Sequence, residues 1–289
     1  MGAADVVPGV SGGTVALVLG IYQKLVDTIR DGSRSLGTLL KGDVKGFWAK
    51  VTALDMMFLV PLLAGILLAV GSLASIIQTQ LHDNPEEMAG LFFGLVAASV
   101  VVAWGMLRAR TPTHLTIIAV VGVVVFWLLG FQSGPIADPP LAAYLGAGAL
   151  AVCAMILPGI SGSFILLMIG MYAPVIGAVD DRALTELALV AVGAVIGLAL
   201  FSSALAWVLS RAFDPVMSVL IGLMLGSLRV LWPWPNGVGV ISEDQSEVID
   251  GTGLDWPDRA DILGPSLLAV AAAVLVIGVA KIAEHHQVQ

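Results

Sequence analysis

Six stretches of the sequence are apolar over the roughly 20 residues that a helix needs to cross a lipid bilayer. They lie at about 54–80, 86–108, 113–131, 183–210, 214–233 and 262–283. Hydrophobic residues make up 58% of the chain and charged residues only 12%, so a water-soluble fold is excluded. The sequence therefore predicts an all-α polytopic membrane protein.

Two further apolar regions, about 1–30 and 141–180, are each interrupted by the same motif. The first copy reads VPGVSGGTVALVLGIY from Val7 to Tyr22, and the second reads LPGISGSFILLMIGMY from Leu157 to Tyr172. Both contain Pro-Gly-x-Ser-Gly and end in Gly-x-Tyr, at a constant offset of 150 residues. A repeat of this kind predicts that the chain is built from two related halves.

Basic residues predict the orientation of the spans, because cytoplasmic loops are enriched in lysine and arginine. Ten of the thirteen basic residues fall on one side of the predicted spans: Lys24, Arg30, Arg34, Lys41, Lys45, Lys50, Arg108, Arg110, Arg211 and Lys281. That side is expected to be the cytoplasm. The loops at 81–85 and 132–140 and the acidic loop at 234–261 are then expected to lie outside.

This orientation predicts the shape of the two interrupted regions. The loops on both sides of 141–180 lie outside, so this region enters and leaves on one face as a re-entrant hairpin. By symmetry, region 1–30 is a hairpin that enters from the cytoplasm; its inbound arm is short, or begins before Met1. Each half is thus a hairpin plus three spans, and because three is odd, the halves 1–135 and 136–289 are predicted to be inverted repeats.

The segment between the first hairpin and the first span has its own pattern. Apolar residues from Leu36 to Val51 share one helical face, with Lys41 and Lys45 off it. This pattern predicts an interfacial helix over 36–51 that lies on the cytoplasmic leaflet and contacts membrane lipids.

The two motifs are the candidate binding site. Irregular backbone at membrane depth is tolerated where it lines a cavity or is buried in protein, and broken helices near the midplane are common in transporters. Proline ends the inbound arm, glycine permits close approach of a ligand, and serine caps the outbound helix, whose free N–H groups favour an anion. The candidate residues are Pro8, Gly9, Ser11, Gly12, Gly13 and Thr14 in the first tip, and Pro158, Gly159, Ser161, Gly162 and Ser163 in the second. The alternative is that these small residues serve only helix packing.

Two charged residues near membrane depth are further candidates. Asp5 lies three residues before Pro8, and its counterpart in the repeat is Met155. An ionisable group at that depth is a functional candidate for proton or sodium coupling, although Asp5 is equally explained as a solvated boundary residue or a helix cap. Arg229 is predicted to attract an anion from the outer side, or else to reach the lipid headgroups beside Trp232 and Trp234.

Other kinds of chemistry find little support in the sequence. The four histidines, His82, His114, His285 and His286, fall at span ends or in loops, and the only cysteine, Cys153, cannot form an intrachain disulfide. No cluster of metal ligands and no basic patch for nucleic acid is evident, so we expect no cofactor, no metal and no enzymatic activity.

The segments ADVVPGVSGGT, GIY, LPGISGSF, GMY and GLMLGSLRVLWPW resemble those of bacterial polyprenyl-phosphate transporters of the PopT type, over nearly the whole chain. The resemblance implies a multi-pass protein of the bacterial cytoplasmic membrane. Its substrate would be undecaprenyl phosphate, flipped from the outer to the inner leaflet to recycle the lipid carrier for peptidoglycan and other envelope polymers. One departure is Gln23, at a position where an acidic residue often follows Gly-x-Tyr in the family.

Two alternatives stay open at this point. A carrier or channel for a small anion would use the same hairpin tips, and a membrane phosphatase or transferase would act on the same lipid. The second alternative is weakened because no histidine or paired carboxylates accompany either tip. The sequence leaves the oligomeric state open.

Overall fold

The structure is a computed structural model that describes residues 1–5, 7, 10–130, 136–234, 254–257 and 261–287. The described residues fold as helices joined by short turns. In chain order the helices are α1 Gly2–Asp5, α2 Gly12–Val18, α3 Tyr22–Leu40, α4 Val44–Thr52, α5 Met56–Asp83, α6 Pro85–Met106, α7 Pro112–Leu128, α8 Leu141–Ile156, α9 Gly162–Met168, α10 Tyr172–Asp180, α11 Leu184–Arg211, α12 Phe213–Ser227 and α13 Leu263–Gln287.

The helices confirm an all-α polytopic membrane protein. Among the described residues, α5, α6, α11 and α13 are long and apolar enough to cross a bilayer, and α7, α8 and α12 are shorter apolar helices. Each of the six predicted spans contains one helix. The fifth is shorter than predicted, because α12 ends at Ser227 rather than near residue 233. The second hairpin is bent, with 111° between α9 and α10.

The 150-residue repeat is visible in the backbone. Helices α2 and α9 each have seven residues and begin at Gly12 and Gly162. Both are followed by a glycine in the left-handed region, Gly20 and Gly170, each with φ 69°. Glycine is suited to this position because it has no Cβ to clash with the backbone. The two halves therefore repeat the same local fold, while their opposite orientation in the membrane stays a prediction.

Helix pairs hold the two halves together. α6 packs along α13, and α7 packs along α12, so each pair joins one helix of the first half to one of the second. Small residues permit close approach of the helices: Gly94 of α6 lies directly against the backbone of Ala269 in α13. Within the second half, Gly193 of α11 lies against the backbone of Leu145 in α8. The largest core cluster includes Leu17, so the short helix α2 is part of the packed interior.

The predicted interfacial helix over 36–51 is divided in two. α3 continues to Leu40, the chain turns through Gly42 at φ 80°, and α4 begins at Val44. The carboxylate of Asp43 accepts a hydrogen bond from the N–H of Gly46 at 2.8 Å and caps α4. The prediction of one continuous helix was wrong because a left-handed glycine followed by an aspartate cap ends one helix and starts another.

α5 is the least buried of the long helices. None of the residues in its most apolar stretch is fully buried, whereas α11, which has the same length, packs on α8 and α3. α5 instead lies against α1, where Gly2 contacts the backbone of Ile66. Its first turn is also held by an ion pair of 2.7 Å between Asp55 and Lys24.

Candidate functional site

The tips of the two hairpins are bonded to each other. The hydroxyl of Thr14 accepts a hydrogen bond from the N–H of Gly159 at 2.9 Å, and the hydroxyl of Ser11 donates to the carbonyl of Met155 at 2.9 Å. Both side chains are almost completely buried. The structure thus brings together two motifs that lie 150 residues apart in the sequence.

In the first tip, side chains of the protein itself accept hydrogen bonds from the free N–H groups at the start of α2. Ser11 has extended backbone, and its hydroxyl oxygen accepts a hydrogen bond from the N–H of Gly13 at 3.0 Å. The carboxylate of Asp5 accepts one from the N–H of Gly12 at 2.6 Å. A negative side chain therefore already occupies the position where the sequence predicted an external anion.

The second tip has the same backbone but different side chains. Ser161 precedes α9 without capping it, and its hydroxyl oxygen lies 2.7 Å from that of Ser163. Met155, the counterpart of Asp5, lies against Gly162: a Cβ built on Gly162 would be 2.8 Å from the Met155 Cγ. An apolar side chain thus stands where the first tip has a carboxylate, and the hydroxyl pair is the most polar part of the second tip.

A cavity of about 160 Å³ lies between the tips. At about 30 Å³ per water molecule, this volume is equivalent to roughly five waters, enough for a phosphate-sized group. Its polar groups are one carboxylate and three hydroxyls, and apolar side chains form the rest. The lining residues are Asp5, Val10, Ser11, Met155, Ile160, Ser161, Gly162 and Ser163.

Several predicted site residues shape the tips without lining the cavity. Gly13 lies against the carbonyl of Ile156, and Gly159, with φ 84°, lies against Met224 and Ser227. Pro158 is completely buried. These residues allow the tips to pack closely, which the sequence had offered as the alternative to ligand binding. Pro8 and Gly9 lie outside the described residues.

Arg229 is not among the residues that line this cavity. It follows the end of α12 and is half-buried, with its guanidinium carbon 4.9 Å from the centre of the Phe126 ring. The guanidinium also lies beside Gly130, close to the end of α7. The structure therefore places Arg229 at a helix end, beside an aromatic ring, rather than at the tips.

A larger cavity of about 560 Å³ lies beside the second hairpin, but its charge does not suit an anion. Its lining includes Asp138, Asp181 and Glu186 on the loop before α8 and around the turn after α10. Three carboxylates repel a phosphate. Among the described residues no cluster of His, Cys, Asp and Glu could hold a metal ion.

Sequence reasoning missed part of the cavity lining. Val10, Met155 and Ile160 were not predicted, although Val10 and Ile160 are counterparts in the repeat, as are Asp5 and Met155. The pairing at an offset of 150 was the signal that could have found them. The hydrogen bond that Thr14 accepts from Gly159 had a weaker signal, since the counterpart of Thr14 in the repeat is Phe164, which breaks the symmetry.

Comparison with known proteins places the chain in one family. The family model described as VCA0040-like, undecaprenyl phosphate translocase-like, matches residues 1–249. A polyprenyl-phosphate transporter of Vibrio cholerae is 38% identical over 302 residues, covering 98% of this chain and 94% of that protein. A polyprenyl-phosphate transporter of Staphylococcus aureus is 32% identical over 250 residues, covering 81% and 83%. No solved structure matches the chain significantly. The chain therefore belongs to the undecaprenyl phosphate translocase-like family.

Proposed function

We propose that this protein is a transporter that flips undecaprenyl phosphate from the outer to the inner leaflet of the bacterial cytoplasmic membrane. The observation that carries the proposal is the cavity between the two hairpin tips, which is phosphate-sized, contains one carboxylate and three hydroxyls, and is built from both motifs. The relatives from Vibrio cholerae and Staphylococcus aureus are named polyprenyl-phosphate transporters, which supports the lipid as substrate. Returning the lipid to the inner leaflet would recycle it for envelope synthesis.

The phosphate is held mainly by the second tip. Ser11 already uses its hydroxyl to donate to Met155 and to accept from Gly13. Ser161 and Ser163 share one hydrogen bond between them, so one hydroxyl hydrogen of the pair is available to a ligand. The two motifs therefore have different roles: the second binds, and the first closes the cavity and supplies Asp5.

The inverted arrangement of the halves is part of the proposal. Inverted repeats allow one central site to face either leaflet in turn, as the halves rock against each other. The mutual packing of α6 with α13 and of α7 with α12 is compatible with such a pseudo-symmetric pair. The apolar outer surfaces of the helices leave the prenyl tail in contact with membrane lipids.

Transport toward a negative cytoplasm needs a driving ion. Moving negative charge inward costs roughly 2.3 kcal/mol per charge per 100 mV. Asp5 contributes the one carboxylate in the lining of the central cavity and is the candidate for coupling to protons or sodium ions. Arg229, which the predicted topology puts on the outer side, would attract the phosphate at the outer end of the pathway.

The test is a comparison of three activities in liposomes that contain the purified protein. Wild type should flip a labelled polyprenyl phosphate, and the double variant Ser161→Ala/Ser163→Ala should lose at least tenfold in rate. Ser72→Ala is the matched control, because this exposed serine on α5 donates to the carbonyl of Leu68 within its own helix and does not line the cavity. Sulfate or chloride flux without lipid flipping would identify a small-anion carrier or channel instead, and release of inorganic phosphate would identify a phosphatase.

A further inference from the structure

One oxygen of the Asp5 carboxylate is bonded and the other is not. Oδ1 accepts the N–H of Gly12 at 2.6 Å, and in the described part of the chain Oδ2 has no hydrogen-bond donor. Asp5 also lines the cavity in which the proposed phosphate would lie. An ionised carboxylate only accepts hydrogen bonds, so the free oxygen requires a donor from whatever enters the cavity.

We propose that Asp5 selects the singly charged form of the phosphate headgroup. A phosphate monoester that retains one proton has a P–OH group, which donates a short hydrogen bond to Asp5 Oδ2. The doubly charged form has only acceptor oxygens and is repelled. The inference rests on the proposed function and adds which protonation state of that substrate the site accepts.

Asp5 is the one ionisable residue among those that line the cavity. Helices α2 and α9 contain no ionisable side chain, and α8 contains only Tyr144 near its start and Cys153. The Cys153 sulfur is directed to the carbonyl of Gly197, and Cys153 is not among the residues that line the cavity. On α5, His82 and Asp83 are sixteen or more residues from Ile66, about 24 Å along the helix from its contact with Gly2.

The second tip binds a different phosphate oxygen from the one that Asp5 binds. Met155 stands in the position equivalent to Asp5 and offers no acceptor to a P–OH group. The hydroxyl pair of Ser161 and Ser163 instead donates to a charged phosphate oxygen. A monoester with one P–OH and two oxygens that share a single negative charge matches both tips, and one fewer elementary charge then crosses the membrane field.

The test measures binding to the purified full-length protein between pH 6 and pH 8. The probes are a water-soluble prenyl monophosphate and its methyl diester, which has one negative charge throughout this pH range but no P–OH. With a second phosphate pKa of about 6, the affinity of wild type for the monoester should fall about 50-fold over this range. The diester should bind at least tenfold more weakly than the monoester at pH 6, with no pH dependence.

Asp5→Asn is the informative variant, because its amide oxygen can still accept the N–H of Gly12 while its amide nitrogen can donate to a phosphate. The pH dependence should shrink to less than threefold in this variant and persist in the surface control Asp180→Asn. Wild-type affinity that stays level or rises with pH, or an unchanged 50-fold fall in Asp5→Asn, would overturn the inference alone. If wild type binds neither probe at any pH, the proposed function is overturned as well.

Discussion

The hydroxyl of Thr14 accepts a hydrogen bond from the backbone N–H of Gly159 at 2.9 Å, across 145 positions of the chain. Thr14 is fully buried, and Gly159 has the left-handed φ of 84° that turns the second tip toward it. The bond therefore ties the first motif to the second at the level of the cavity. Loss of this acceptor leaves a buried N–H unsatisfied, at a cost of roughly 1–3 kcal/mol.

Thr14→Val should lower both the thermal stability of the purified protein and its flipping rate. Valine has nearly the same shape as threonine but cannot accept the hydrogen bond from Gly159. Thr14→Ser retains an acceptor and should retain most of the activity. Melting temperature and flipping in liposomes should be measured together; a Thr14→Val protein with wild-type values for both would show that the bond is dispensable.

Gly12→Ala should disturb Asp5 specifically. A Cβ at this position would be 2.6 Å from Asp5 Oδ2, so the carboxylate has to leave its present position. We expect weaker binding of a prenyl monophosphate together with a flatter pH dependence. Gly32→Ala in α3 is the control, because nothing lies within 4 Å of its Cβ and alanine favours a helix by about 0.5–1 kcal/mol. Identical binding by the two variants would contradict this account of the first tip.

Cysteine labelling tests the predicted orientation. In a Cys153→Ala background, Asp181→Cys should react with a membrane-impermeant reagent added outside intact cells. Lys45→Cys should react only after the membrane is permeabilised. Both positions are exposed in the structure. Reaction of both from the same side would rule out inverted halves, and the opposite pattern would reverse the orientation.

Asp5→Asn should uncouple transport from an imposed ion gradient. If one proton accompanies each phosphate, an inward proton gradient should accelerate flipping by wild type and have little effect on the variant. Sodium gradients imposed at constant pH distinguish the two candidate ions. Full gradient-driven flipping by Asp5→Asn would assign Asp5 to helix capping alone.

Arg229→Gln should differ from Asp5→Asn in its kinetics. The variant should capture phosphate more weakly from the outer leaflet, raising the half-saturating lipid concentration while leaving the dependence on the gradient unchanged. Arg229→Lys is the matched variant that keeps the charge but stacks less well on Phe126. If both variants behave like wild type, Arg229 only anchors the helix end.

The sequence predicted the helical fold well because a bilayer permits few arrangements of backbone. Each of the six long apolar runs contains a helix, and four of these helices are long enough to cross a bilayer. The repeat marked two turns whose backbone is indeed alike at Gly20 and Gly170. The break at Gly42 was not predicted, because amphipathic periodicity on both sides of it continued through the glycine.

The site was predicted less completely, for a different physical reason. Local pattern identifies flexible, polar backbone, but it does not tell which groups bond to one another across the tips. Asp5 was a candidate for coupling or capping, and the structure shows it accepting the N–H of Gly12. The structural role of Ser11 depends on its hydrogen bond to Met155, 144 positions away, whereas Ser161 and Ser163 bond to each other two positions apart.

Few contacts with the rest of the protein hold the exposed helix α5 in place. Its most apolar stretch contains no fully buried residue, whereas 44% of the corresponding stretch of α6 is buried. The Asp55–Lys24 ion pair, the contact of Ile66 with Gly2, and the partly buried Ile77 and Leu81 set its position. Displacing α5 therefore breaks less packing than displacing α6. Because α5 packs against α1, which carries Asp5, the helix that is most easily displaced lies next to the cavity.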